Sequence, residues 1–222
     1  MMTEELSILH KANILIHVSA GSLALVTGII LVASAKGKKL HKTIGKIFLA
    51  LLAIVIVTGL AGVFLYGRNA FLLVITVLSG YSGYSGYRTL QTKSNQPKSA
   101  DTGAAFIVVL IVIYFLYYFN SIGMIWAPVI IYSTTGYLVL MITYDFSRYL
   151  IPAATYSNLW LYEHILKMVS AFSALLSAFT GTVFPQYQPY SQFLPSVFGT
   201  LLAIGFMINI YKKRRAFAKK QG

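Results

Sequence analysis

Seven stretches of this chain are apolar for long enough to cross a lipid bilayer as helices, at about 12–35, 44–66, 70–90, 104–121, 125–145, 158–183 and 196–211. A spanning helix needs roughly 20 mostly apolar residues. A membrane barrel would instead show alternating segments of about ten residues, whereas the run 106–119 is apolar on every face. With 57% hydrophobic and only 10% charged residues, a soluble globular domain and a disordered chain are both excluded. The predicted fold is an all-α membrane-embedded helical bundle of about seven transmembrane helices.

The charges fix its orientation. The chain carries 18 Lys+Arg against 5 Asp+Glu, a formal net charge of +13. Lys36, Lys38, Lys39 and Lys42 follow the first apolar run; Arg88, Lys93 and Lys98 follow the third; Arg148 follows the fifth. Lys212, Lys213, Arg214, Arg215, Lys219 and Lys220 follow the seventh. Only Lys11 and Arg68 lie at the other ends, while Lys46 and Lys167 lie within runs. Basic residues concentrate in cytoplasmic loops. The N-terminus is therefore predicted outside and the C-terminus in the cytoplasm, an arrangement only an odd number of spans permits.

The links at 36–42, 67–69, 92–103, 120–123, 147–157 and 184–195 hold no soluble domain. The chain divides into one transmembrane domain, 1–211, and a basic cytoplasmic tail, 212–222. The link 92–103, polar and holding Pro97 and Asp101, is expected to be the most mobile. Ala33, Ser34 and Ala35 resemble a signal-peptide cleavage site, but the preceding apolar run is too long, Glu4 and Glu5 precede it, and lysines follow at once. Thr3 with Glu4 and Glu5 reads as a helix start. The tail suits anionic lipid at the cytoplasmic face, each basic residue contributing about 1 kcal/mol; nucleic acid is not an expected partner.

Ionisable groups in hydrocarbon are costly, so each one inside a span is a functional candidate. His17, Gly21, Ala24 and Gly28 share one face of the first helix, with small residues suited to close helix packing. His17 is thus expected to point into the bundle, and His10, two turns outward, to be interfacial. In the sixth run Glu163 and Lys167 form a favourable i,i+4 pair beside His164. Ser170, Ala174, Ser177 and Gly181 form a small-residue stripe there. The topology brings His41, Arg88, Asp145, Arg148, Glu163, His164 and Lys167 to the cytoplasmic third. Tyr81, Tyr84 and Tyr87 join them from a triplet repeat with Gly80, Gly83 and Gly86. These tyrosines read as an aromatic belt or as the edge of a polar pocket between spans two, three, five and six. The candidate intramembrane polar site is His17, His41, Glu163, His164, Asp145 and Tyr84.

No cysteine is present, which excludes disulfides, iron–sulfur clusters and thiolate catalysis. No phosphate-binding loop, HExxH or GxSxG motif occurs, so no catalytic residue is assigned. Bis-histidine haem b would need two imidazoles at one depth on different helices, for which His41 and His164 are the only pair. A zinc ion would need three or four ligands, drawn from His41, His164, Glu163 and Asp145. Neither cofactor is assigned.

The series His17, Gly21, Ala24, Leu25 and Gly28, followed by His41, Gly45, Lys46 and Phe48, resembles the H-x-x-x-G-x-x-A-L-x-x-G … H-x-x-x-G-K/R-x-F/Y pattern of a bacterial family of small polytopic membrane proteins. That family is catalogued as a domain of unknown function. Tyr84 to Arg88, His164 with Met168, Ala171 and Phe179, and Leu194, Pro195, Gly199 and Thr200 resemble it too. The chain departs at Ala20, where relatives often have a second glycine, and at Lys167, where arginine would fit. The resemblance implies an intact protein of the bacterial inner membrane with His17, His41 and His164 as motif positions. It implies no activity.

Three functions follow as expectations: a histidine-centred intramembrane site for protons, electrons or a small ligand; a non-enzymatic accessory or scaffold subunit; or a small transporter. No inverted repeat supports the last.

Overall fold

A computed structural model describes residues 2–66, 70–121 and 128–221. Seven α-helices follow in order: α1 (Met2–Ala33), α2 (Lys39–Tyr66), α3 (Ala70–Thr92), α4 (Ser99–Ser121), α5 (Pro128–Ser147), α6 (Ala153–Val183) and α7 (Tyr190–Gln221). One-turn 3-10 segments, Arg148–Leu150 and Pro185–Tyr187, precede α6 and α7. No strand occurs among the described residues. The link 67–69 with Arg68, the turn over 122–124 and the first residues expected of the fifth span, 125–127, lie outside the described residues. α1 begins by Met2, so Thr3 sits inside the helix rather than ahead of it. α7 continues through the basic run to Gln221, so no structural break separates a tail at 212.

Five helices are long and apolar enough to cross a membrane: α1, α2, α4, α6 and α7. The other two expected spans, α3 and α5, carry more polar residues along their described lengths. α3 carries Ser79, Ser82, Ser85 and Thr89, all buried, and α5 carries buried Thr135 and Asp145. Their polar side chains face protein, not the outside of the bundle. The other helices carry exposed apolar side chains, with Leu15, Val26, Val57, Ile107, Leu110 and Leu201 all more than half exposed.

α3 and α6 form the central pair, with α1 and α2 packed on one side, α4 and α5 on the other, and α7 along α6. Small residues set these approaches. The glycine stripe of α3 drifts around the helix. Gly80 and Gly83 receive Ile56 and Leu52 of α2, and Gly86 receives Lys167 and Met168 of α6. Gly28 of α1 lies under the Phe172 ring, where a Cβ would come within 2.3 Å of a ring carbon. Ala20, Ala24, Phe48, Leu52, Ala171 and Phe172 make the core between α1, α2 and α6.

In α7, Pro195 has no N–H to give the Ser191 carbonyl. The Thr180 hydroxyl of α6 reaches that carbonyl instead.

The basic clusters meet at one end of the bundle. Lys36 lies 4.4 Å from the Phe206 ring centre of α7, and Lys93 lies 5.1 Å from that of Trp160 in α6. Arg214 donates to the Asn158 carbonyl. The link expected to be mobile is tied down there. α3 ends on Lys93 in the left-handed region (φ 49°), a common helix stop. Asn95, buried, donates to the carbonyls of Arg148 and Ile151.

Candidate functional site

The site is built from three helices at this basic end. Asp145 comes from the last turn of α5, Arg148 from the 3-10 turn after it, and Glu163 and Lys167 from one face of α6. All four side chains are 5% exposed or less. Two acids and two bases cancel in formal charge. Removing each from water costs several kcal/mol, recovered only if every group is well paired.

Glu163 is the hub. Its Oε1 accepts from Thr89 at 2.7 Å, Arg148 at 2.5 Å and Lys167 at 2.7 Å. Its Oε2 accepts from the Tyr156 hydroxyl at 2.7 Å and the Tyr144 hydroxyl at 3.1 Å. Lys167 also donates to Asp145 Oδ1, and the Tyr81 hydroxyl donates to Asp145 Oδ2 at 2.6 Å. The ammonium of Lys167 therefore bridges both carboxylates. Arg148 Nε, 3.8 Å from Asp145 Oδ1, makes no hydrogen bond.

A narrow cleft of about 10 Å³ lies between this cluster and the bundle surface. Tyr81, Asp145 and Arg148 line its inner side, and Tyr84, Arg88 and Asp101 its outer side. At the rim Arg88 and Asp101 are paired at 2.6 Å, and Tyr84 donates to the Ala100 carbonyl at 3.2 Å. Carboxylate, phenol and ammonium groups thus follow one another from the rim to Glu163.

The six residues proposed from sequence divide. Asp145 and Glu163 come together, joined through Lys167. Tyr84 stands at the rim. His164 lies beside the cluster, and its Nδ1 is 2.9 Å from the Gly86 carbonyl. A carbonyl only accepts, so Nδ1 carries the proton and Nε2 points elsewhere. His41 is bonded to Ser34 at 3.2 Å, within electrostatic range of His164. His17 lies away from all of them. Its Nδ1 is 2.9 Å from the Thr58 hydroxyl, which itself donates to the Ile54 carbonyl. Ser34, the residue after α1, is 17 positions from His17, a rise of about 26 Å, so His41 and His17 mark different levels. His10 stacks on Tyr66 with ring centres 4.4 Å apart.

The buried charge cluster is built around Glu163 and Lys167, with His164 beside it and His17 and His41 outside it. Among the described residues, α3, α5 and α6 supply the groups of this cluster. No set of three metal-ligating side chains is assembled among the described residues. Sequence reading missed Thr89, Tyr144 and Tyr156. Tyr156 and Glu163, seven apart on α6, share a helical face, and that spacing was the available signal. Thr89 and Tyr144 gave none. Compared with known proteins, the chain matches no family model, no curated protein and no solved structure.

Proposed function

We propose that this chain is an integral protein of the bacterial cytoplasmic membrane, with its N-terminus outside and its C-terminus in the cytoplasm, and that its buried Glu163-centred network takes up and passes on protons. Five apolar helices and an outward-facing apolar surface support the embedding. The gathering of Lys36, Lys93, Arg148 and Arg214 at one end supports the orientation. Membership of the bacterial membrane-protein family it resembles belongs to the same proposal.

The observation that carries the proton reading is the bridging of two buried carboxylates by one ammonium, Lys167 between Asp145 and Glu163. A proton arriving by the Tyr84–Arg88–Asp101 rim binds a carboxylate oxygen of Asp145. Lys167 can donate to Glu163 and take up that proton in turn. The phenols of Tyr81, Tyr144 and Tyr156 donate to these carboxylates. Ionisable residues kept at such cost inside a membrane bundle commonly mark proton routes.

The test uses purified protein in vesicles holding a pH-sensitive dye, with an inward proton gradient and a potassium potential set by valinomycin. Wild-type vesicles should acidify faster than vesicles carrying Glu163→Gln. Equal rates overturn the reading.

A second reading is a scaffold. The charge balance of the network and its closure across α3, α5 and α6 favour it, because such a cluster also clamps helices together. Equal acidification with a lowered melting temperature in Glu163→Gln would select it.

A further inference from the structure

α2 and α6 stand across from each other in a group of four helices. α1 and α3 each pack on both of them, and both begin at the basic end of the bundle. Ion and cofactor sites in helical bundles are built at the centre, from side chains on facing helices. Phe48 of α2 and Ala171 of α6, 1% and 0% exposed, belong to one core. Leu49 and Leu52 of α2 and Ala171 of α6 all lie within 4 Å of where a Cβ on Gly83 would stand. Seven residues nearer the basic end, about two turns, Phe48 leads to His41 and Ala171 to His164. The two imidazoles therefore sit at one level on inward faces, close enough to interact electrostatically.

Both rings are held the same way. His164 Nδ1 donates to the Gly86 carbonyl at 2.9 Å. The Ser34 hydroxyl donates to the Leu31 carbonyl at 3.2 Å, so it accepts from His41 Nδ1, also at 3.2 Å. Each Nδ1 thus carries the proton, and each Nε2 presents a lone pair. Neither Nε2 has a hydrogen-bond partner among the described residues, and unlike His10 Nε2 neither is sealed in. An Nδ1–H bonded to oxygen is the arrangement that orients an imidazole to ligate a metal through Nε2.

The surroundings select the ion. A Cβ on Gly86 would lie 3.2 Å from Met168 Sδ, so a thioether and His164 converge on the same glycine. No carboxylate bonds to either ring. The ammonium of Lys36, fixed on the carbonyls of Leu31, Val32 and Ser34, acts on His41 with its positive charge. Neutral donors beside a fixed cation disfavour a divalent ion. Zinc would need three or four strong ligands, whereas imidazole and thioether donors suit Cu(I).

We propose that His41 and His164 bind one Cu(I) ion through their Nε2 atoms, with the Met168 thioether as its soft neighbour. The site does not rest on the proton reading, so either can fail without the other.

The experiment titrates the full chain in lipid nanodiscs with Cu(I), kept reduced by ascorbate without oxygen, against the coloured Cu(I) chelator bicinchoninate. Empty nanodiscs are the control. The wild type should withhold one equivalent of copper. His41→Gln and His164→Gln should each weaken binding at least about tenfold, since even the loss of a group that only orients a ligand costs that much. His17→Gln should keep the wild-type affinity, and Zn(II) should bind more weakly than Cu(I). No copper withheld beyond the empty nanodiscs, an unchanged affinity in either site variant, an equal loss in His17→Gln, or zinc bound as tightly overturns the proposal. If His164→Gln does not fold, His41→Gln, altered at a partly exposed position near the start of α2, decides against His17→Gln.

Discussion

Arg148 Nη1 meets Glu163 Oε1 at 2.5 Å, with the two side chains 5% and 2% exposed. The pair closes the junction between α5 and α6 from inside, and Lys167 and Asp145 complete it. Because each ion depends on its neighbours, the energetic consequence of losing one differs from that of losing a matched pair.

Glu163→Ala leaves Arg148 and Lys167 sharing the single carboxylate of Asp145. Removing one partner of a buried ion pair costs about 3–5 kcal/mol. Glu163→Gln with Lys167→Met restores the charge balance and should lose less than the sum of its single variants. Unfolding of the purified protein in detergent by a denaturant series measures this coupling. Strict additivity would show that the network is not one unit.

Gly199 and Ser173 test the close approach of α6 and α7. A Cβ on Gly199 would lie 1.7 Å from Ser173 Oγ and 2.8 Å from its Cβ. Gly199→Ala must push the helices apart and should cost about 1–3 kcal/mol. Gly136→Ala on α5, where a Cβ meets nothing within 4 Å, should be neutral or stabilising by about 0.5–1 kcal/mol. Melting temperatures of the two variants should move in opposite directions or differ clearly.

His17→Ala removes the bond to Thr58 and leaves the Glu163 network untouched. It should cost about 1 kcal/mol and leave vesicle acidification at the wild-type rate. An acidification rate falling as far as in Glu163→Gln would return a histidine to the centre of the mechanism.

Orientation has its own test. A reporter that is active only in the cytoplasm should be active when fused after Gln221. Placed ahead of Met1, it should be silent. The reverse result would contradict the assignment drawn from Lys36, Lys93, Arg148 and Arg214.

Much of this was legible in the sequence because bilayer helices leave long-range marks. Apolar runs located all seven helices, although α1 (Met2–Ala33) starts and α7 (Tyr190–Gln221) ends about ten residues beyond its run, and the lysine clusters identified the end where α1, α3, α5 and α7 finish. The Glu163–Lys167 pair was legible because four residues make one helical turn. Its partners were not, because Asp145 is 22 positions from Lys167 and Tyr81 is 64 from Asp145. No local pattern encodes those contacts. The histidines drew attention by rarity, yet His17 and His41 bond to the hydroxyls of Thr58 and Ser34, and His164 to the Gly86 backbone. The polarity of α3 had two readings, belt or pocket. It resolves residue by residue: Tyr84 stands at the rim, and Tyr81 donates to Asp145.

The central claim is that Glu163 exchanges a proton inside the bundle, and infrared difference spectroscopy of the purified protein during a pH titration tests it most directly. The wild type should show a carboxylic-acid carbonyl band that grows as pH falls, is absent in Glu163→Gln and persists in Asp101→Asn. A wild-type spectrum without such a band, or one reproduced in full by Glu163→Gln, would contradict the account.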